Sequence, residues 1–314
     1  MENGFSYDTK ILWKSGISVN YTTVQELYDI VKTTYNGKYT DIDFYNKGRW
    51  DNGSLYRMYA NKLYEITLSN NDIYTLGANT KCVGLEDDVE IKSLKEGDYV
   101  YYHNKFSLGE IPGYKIRLNF DDGLILGFII STGKIEKDAI TIYLSDKCWT
   151  KYKEYFVWRE YTETVNNNIY EIRMTDEEIM ILAKAYIENN MIAMNCLIYP
   201  LDFRRGLAMA LYYDTNRYIT ENKEEAERIR IFINSLGAQS SLKKDKSTYY
   251  VDLSTQYDET SYPDEDTYCW YCEDFYWKVK SIKKIDYYGY IYNVKYNTDK
   301  NHITLPFGLT LLTF

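Results

Sequence analysis

The stretch Gly123-Leu-Ile-Leu-Gly-Phe-Ile-Ile-Ser-Thr-Gly133 decides how the chain is read. It is a compact apolar segment, and Gly133 stands where a helix is expected to stop. Phe203-Arg-Arg-Gly-Leu-Ala-Met-Ala-Leu-Tyr212 is a second segment of the same kind. Strands are expected after the first, at Ala139-Ile-Thr-Ile-Tyr143 and Asn168-Ile-Tyr-Glu-Ile-Arg173. Thr175-Asp-Glu-Glu178 then has capping-box spacing before Ile179-Met-Ile-Leu-Ala183, so a helix is expected to begin there. After the second segment, a helix over Lys223 to Leu236 is ended by Gly237, and Tyr249-Tyr-Val-Asp-Leu253 has strand character. Two similar units therefore occupy about 106–250 as an internal repeat.

Outside the repeat the pattern is β. Asp8-Thr-Lys-Ile-Leu-Trp13, Leu63-Tyr-Glu-Ile-Thr-Leu68 and Ile73-Tyr-Thr75 read as short strands, with a turn at Ser69-Asn-Asn-Asp72. Gly97-Asp98 reverses the chain before Tyr99-Val-Tyr101. From Asp252 to Asp274 there are eight acids and no Lys or Arg, which reads as a solvated acidic loop and a boundary. Strands return at Trp277-Lys-Val-Lys-Ser-Ile and Gly289-Tyr-Ile-Tyr-Asn-Val-Lys-Tyr296.

At 314 residues and 45% hydrophobic, the chain is long enough for two cores and too apolar for disorder. No stretch approaches the roughly 20 apolar residues of a membrane helix. The opening, Met1 to Asp8, has no basic region leading into an apolar one. An intracellular protein is expected, cytoplasmic or virion-associated, with no membrane partner. The balance of 37 Lys+Arg against 46 Asp+Glu gives −9, which argues against unspecific wrapping of nucleic acid but leaves a local basic face open. The 36 Tyr beside 2 His fit either an A/T-biased coding sequence or a tyrosine-rich binding surface. Five scattered cysteines suit a reducing compartment. Cys269-Trp-Tyr-Cys272 has metal or redox spacing but no second pair, so two half-buried thiols are the simpler reading, and no metal or cofactor is expected.

The order of β half, two-fold α/β insert and β half resembles an intein whose Hint splicing domain is interrupted by a LAGLIDADG homing endonuclease. Asn3-Gly-Phe-Ser-Tyr-Asp-Thr-Lys-Ile-Leu12 resembles the first splicing block and Gly77-Ala-Asn-Thr-Lys-Cys82 the second. Gly289 to Tyr296 and Asn301 to Phe314 resemble the last two. Gly127-Phe-Ile-Ile-Ser-Thr-Gly133 and Arg205-Gly-Leu-Ala-Met-Ala-Leu-Tyr212 resemble the paired endonuclease helices. The resemblance implies an α+β protein. An all-β Hint horseshoe would be formed by both chain ends, 1–105 and 251–314, around a pseudo-two-fold LAGLIDADG α/β domain at 106–250.

The resemblance also implies where the chemistry should be. Splicing opens with a thiol or hydroxyl nucleophile, and Gly4 occupies that place. Gly77 and Thr80 take the places of the Thr and His that polarise the scissile amide. Asn293 stands for an acid, and Thr313 and Phe314 for the terminal His-Asn. His302 is read as structural, and Ser6 is the one displaced nucleophile to weigh. The two endonuclease helices should each end in a metal-binding carboxylate, but end in Thr132 and Leu211. Asp121 and Asp122 sit at the opposite helix end, and Asp214 lies three residues past the expected place.

The packing segments are separate from the reactive groups, so the scaffold can outlive the chemistry. Lys134, Lys137 and Lys147 in the first unit, and Arg217, Lys243, Lys244, Lys246 and Tyr249 in the second, are the candidates for contact with DNA. Glu136, Asp138, Asp146 and Asp245 interleave with them. The expectation is a catalytically inactive, intein-derived binding or structural subunit, of a virus or mobile element, with a protein partner in a larger assembly. The alternative is a non-cleaving sequence-specific protein that binds double-stranded DNA, and a third reading is an endonuclease with displaced residues.

Overall fold

The computed structural model of the chain describes residues 2–34, 42–47, 49–103, 118–189, 191–236, 238, 240–253, 268–271, 274–297, 302–307 and 309–313. Two units divide the chain, one from residues 1–109 with 254–314 and the other from residues 110–253. The architecture is a mixed one of α-helices and β-sheets.

The first unit opens with β1 (Lys10–Ser15), β2 (Ser18–Thr23), α1 (Val24–Thr34), β3 (Asp43–Asn46), β4 (Arg49–Leu68), β5 (Ile73–Gly77), β6 (Lys81–Val83), β7 (Asp88–Glu90) and β8 (Tyr99–Tyr101). The second holds α2 (Phe120–Thr132), β9 (Gly133–Ile135), β10 (Ile140–Ser145), α3 (Asp146–Tyr152), β11 (Tyr161–Asn166), β12 (Ile169–Met174), α4 (Glu177–Tyr186), β13 (Ile187–Glu188), β14 (Met191–Ile192), α5 (Leu201–Leu211), β15 (Arg217–Thr220), α6 (Lys223–Asn234), β16 (Ser240–Asp245) and β17 (Thr248–Leu253). The chain then returns to the first unit through β18 (Tyr268–Tyr271), β19 (Asp274–Tyr296), β20 (His302–Thr304) and β21 (Thr310–Leu312).

In the first unit both chain segments share one sheet, ordered β18-β19-β4-β3-β1-β2, with β5 added to β4 and β8 to β19. Its spine is the antiparallel pair β4 and β19, which runs from Leu68 opposite Val279 to Gly53 opposite Tyr296. The ladder is irregular between Val279 and Ser281 and between Asp286 and Gly289, and such bulges bend and twist a long ribbon. A smaller sheet, β20-β21-β6-β7, again joins the two ends of the chain. Phe5, Ile11, Ile66, Leu76, Tyr292, Val294 and Leu311 are buried in a common core.

The first hundred residues are not purely β. Helix α1 follows β2, and its start is a capping box. The Glu26 carboxylate accepts from Thr23 N at 2.8 Å, and Thr23 Oγ1 accepts from Glu26 N at 3.2 Å. Thr23-Val-Gln-Glu26 carried this signal in the sequence, and the surrounding strand pattern masked it. The strand expected at Leu63–Leu68 is the last third of β4. The acidic run is also not a loop from its first residue, because Asp252 lies in β17. Cys269 lies in β18, while Cys272 and Gly237 are outside the described residues.

The second unit is a duplicated motif. In one half, α2 is followed by β10, α3 and the hairpin β11–β12. In the other, α5 is followed by β15, α6 and the hairpin β16–β17. In each half the strand that precedes the second helix pairs antiparallel with the last strand of that half, β10 with β12 and β15 with β17. The resulting sheets are ordered β11-β12-β10-β9 and β15-β17-β16, and among the described residues β9 has no counterpart in the second half.

Helices α2 and α5 pack backbone to backbone. A Cβ on Gly127 would lie 2.5 Å from Leu207 O and 2.7 Å from the Ala210 Cβ, and one on Gly206 would lie 2.9 Å from Leu124 N. A Cβ on Gly123 would lie 2.8 Å from Phe203 C and 3.0 Å from Leu207 N. Three glycines thus remove the atoms that would hold the helices apart. Helix α4 starts one residue later than the capping-box reading. Asp176, not Thr175, caps it, accepting from Glu178 N at 2.8 Å and Ile179 N at 3.2 Å, and its negative charge at the helix start adds a favourable dipole interaction. No helix among the described residues is long and apolar enough to cross a membrane.

Candidate functional site

In the first unit, residues far apart in sequence converge on the N-terminal segment. Phe5 is bonded through its backbone to Tyr292, with Phe5 N to Tyr292 O at 2.8 Å and Tyr292 N to Phe5 O at 3.0 Å. This bridge sets Gly4 between β5, the start of β6 and β19. Thr80 Oγ1 accepts from Gly4 N at 2.8 Å and donates to Gly4 O at 2.8 Å. Gly77 N donates to the same oxygen at 2.7 Å. Asn293 Nδ2 donates to Asn3 O at 3.2 Å, and its Oδ1 accepts from Val294 N. Gly4, Gly77, Thr80 and Asn293 therefore meet at one buried place.

The last strand reaches the same region. Leu312 pairs with Lys81, so the end of β21 runs beside the Thr80 end of β6. Thr313 is buried, and its Oγ1 has no hydrogen-bond partner among the described residues. Phe314 lies outside the described residues. Two features close the centre to a reactive side chain. Gly4 has φ +152°, which favours glycine, and the Tyr292 carbonyl fills the space a Cβ would need, its carbon 2.9 Å from that position. A Cβ on Gly77 would lie 2.6 Å from Glu2 O. Ser6 is buried and directs its hydroxyl to Asp8 at 2.5 Å and Thr9 at 3.1 Å. His302 lies in β20, where burial first and then Lys47 hold its pKa below the usual value.

In the second unit, Thr132 and Leu211 are the last residues of α2 and α5. Thr132 Oγ1 turns back to donate to Phe128 O at 3.1 Å, and Leu211 is buried. Asp214 is exposed beyond the end of α5, and its charge, after burial, helps push the Cys148 thiol up to about 12. At the other end of α2, Asp122 completes a capping box with Asn119 and is ion-paired to Arg159, which also meets Glu178 at 3.0 Å. Its carboxylate is thus occupied by structural contacts. Among the described residues no group of three or more His, Cys, Asp or Glu side chains could hold a metal ion.

Period-two alternation divides the eight residues expected to face DNA. On the second sheet, α6 covers the face that carries Tyr218 and Val251, both buried. Tyr249 and Lys244 are in register with Thr220 and belong to that covered side. Arg217, Ile219, Lys243, Tyr250 and Asp252 share the open side. Tyr250 rather than Tyr249 is therefore the aromatic residue there, 5.1 Å from the Arg217 guanidinium. Lys246 sits in the β16–β17 turn at φ 54°.

On the first sheet, Lys134 of β9 shares the open side with its register neighbours Thr141 and Arg173, and Tyr143 lies two residues along the same face. Lys137 is in the β9–β10 connection, and Lys147 is on α3 and not on the sheet. Arg173 and Tyr143 were missed by the sequence reading, although alternation from Lys134 through the hairpin register would select them. Charge on both open faces is internally balanced. Lys134 meets Glu136 at 3.1 Å, and Arg173 meets the same carboxylate at 3.9 Å. Asp252 accepts from Arg217 Nη2 at 3.2 Å and Lys243 Nζ at 2.9 Å. Partial burial raises the Asp252 pKa, but these two cations outweigh it and hold the carboxyl below its usual range.

No protein-family model matches the chain, and no curated protein matches it. Among solved structures, the chain is similar to the homing endonuclease I-DmoI in complex with DNA and Mn, at 15% identity over 43% of this chain and 89% of that one, with a TM-score of 0.34. It is similar to the N-terminal LAGLIDADG domain of DUF199/WhiA at 13% identity over 43% and 75%, with a TM-score of 0.32. The transcription factor IIB Mvu mini-intein is similar at 14% identity over 33% and 70%, with a TM-score of 0.31.

Proposed function

We propose that the chain is an intein-derived protein, a Hint-type splicing unit with a LAGLIDADG-type helix pair inserted into it, that performs neither splicing nor cleavage. Its role in this reading is that of a binding or structural subunit in a larger assembly. The observation that carries the reading is Gly4. It lies where Gly77, Thr80 and Asn293 converge, and the Tyr292 carbonyl occupies the space that an attacking side chain would need. Thr80 here clamps both backbone groups of Gly4 instead of activating a peptide for attack. In the second unit the glycine-mediated helix crossing ends on Thr132 and Leu211, neither of which supplies the charged oxygen that a hard divalent cation prefers.

Two measurements test this. The chain flanked by unrelated segments is expected to give one intact mass, and supercoiled DNA is expected to stay unnicked in Mg²⁺ or Mn²⁺. Excised, ligated or cleaved protein products, or metal-dependent nicks, would overturn the reading.

A second reading, a non-cleaving binder of double-stranded DNA, draws support from the two open sheet faces with Lys134, Arg173, Arg217 and Lys243. The carboxylates bound to these cations weigh against it, because each phosphate contact would first have to break an internal ion pair. A gel shift with random duplex at low salt separates the two, and absence of a shift removes the second.

A further inference from the structure

Several basic groups on the long ribbon of the first unit also face solvent without a carboxylate partner among the described residues. Residues 57–65 of β4 and 278–290 of β19 carry six cations (Arg57, Lys62, Lys278, Lys280, Lys283 and Lys284) against two carboxylates, Glu65 and Asp286. This is a basic stretch in a chain whose net charge is −9. Arg57, Lys62, Lys283 and Lys284 have no ion pair among the described residues, although Glu65 stands opposite Lys283 and Asp286 opposite Lys62 in the ladder. Between Gly53 and Lys62, β4 pairs only with β19 among the described residues.

Aromatic rings are interleaved with these cations. Tyr59 and Tyr290 face each other across the ladder, with ring centroids 6.0 Å apart. The Arg57 guanidinium lies 4.2 Å from the Tyr290 ring centre and 4.9 Å from that of Tyr28 on α1. Tyr59 is 57% exposed, Tyr290 46% and Tyr288 78%. Tyrosine rings left half in water beside unpaired cations offer flat faces to planar groups and positive charge to a polyanion. Unstacked nucleobases on a phosphate backbone have both properties, and a paired duplex hides its base faces.

We propose that the β4–β19 ribbon binds single-stranded nucleic acid, with bases stacking on Tyr59 and Tyr290 and phosphates meeting Arg57 and Lys283, which the ladder register places on one side of the ribbon. The proposal is independent of the function proposed above, since it uses neither the Gly4 centre nor the α2–α5 unit. The test is fluorescence anisotropy of the full chain with a labelled mixed-sequence 20-nucleotide DNA strand and with the matching duplex, over a salt series. Single-strand binding is expected to exceed duplex binding and to weaken with salt. The double variant Tyr59→Ala/Tyr290→Ala should lose roughly tenfold or more in affinity with its salt slope unchanged, as expected for lost stacking. The variant Lys283→Gln should lower the salt slope by roughly 0.7, as expected for one lost phosphate contact. All three side chains are exposed, and an unchanged melting temperature checks that each variant is folded. No binding at low salt, a preference for duplex, or full affinity in both variants would overturn the proposal. Binding that an acidic protein reproduces without the tyrosine dependence would also overturn it.

Discussion

Replacing Gly206 by Ala tests whether the second unit depends on direct backbone contact between α2 and α5. On helix propensity alone the change would stabilise α5 by about 1 kcal/mol. The structure predicts the opposite sign. The added methyl would lie 2.9 Å from Leu124 N and 3.0 Å from Phe120 C, and the Phe120 carbonyl oxygen is closer still. These are main-chain atoms inside a helix, so no rotamer change relieves the clash, and the helices must separate along the crossing.

Overpacking of this kind costs about 1–3 kcal/mol and sometimes more, and a rigid backbone obstacle belongs at the upper end. With the propensity gain subtracted, a net loss of about 2 kcal/mol remains, which lowers the melting temperature of a unit this size by about 4–8 °C. Differential scanning calorimetry measures the shift, and hydrogen exchange of the α2 and α5 amides assigns the transition to the second unit. Ala208→Gly on the same helix is the control and should cost only about 1 kcal/mol, because Ala208 is outside the contact. A Gly206→Ala protein as stable as the parent, or more so, would refute the backbone packing.

Other outcomes follow from individual contacts. Thr80→Val keeps the shape but strands Gly4 N in a buried site. It should cost about 1–3 kcal/mol and speed exchange at Phe5, whereas Thr80→Ser should restore protection. The Cys82 and Cys148 thiols are pushed up to about 12 by burial, so at neutral pH both should be alkylated by iodoacetamide only as fast as the chain opens, as read by peptide mass mapping. His302 has a folded pKa below its unfolded value of 6.5, so neutral His302 is compatible with the fold and protonation opposes it. Its contribution should be complete above about pH 6.5 and fade as pH falls through the lower folded value, and His302→Gln should flatten that part of the melting curve.

Much of the local structure is legible in residue order. The apolar segments around Gly127 and Gly206 announce two helices, and Asn119-Phe-Asp-Asp122 caps the first as capping-box logic requires. The open faces were less legible. Lys243 and Lys244 are adjacent in sequence and point to opposite sides of β16, so a list of basic residues cannot say which of them meets solvent on the shared face. Once the register of β15, β17 and β16 is known, Tyr250 replaces Tyr249, and Asp252 becomes the residue that holds Arg217 and Lys243. The Arg57–Tyr290 cluster was not legible at all. Its members lie on strands more than 200 residues apart, and the tyrosine excess gave no reason to choose these rings.

The order of residues by itself determined that two glycine-bearing apolar helices stand within a largely β chain, because helix and strand periodicities and caps are local properties. Tertiary structure alone decided that Gly4, Gly77, Thr80 and Asn293 share one buried place, and that the Tyr292 carbonyl leaves no room there for a side chain. It also decided that Arg217 and Lys243 share Asp252 and that Lys134 and Arg173 share Glu136, while Arg57, Lys62, Lys283 and Lys284 on the long ribbon have no ion pair among the described residues. Each of these depends on pairings between distant strands, and the energy of such a pairing resides in contacts that no short window of sequence contains.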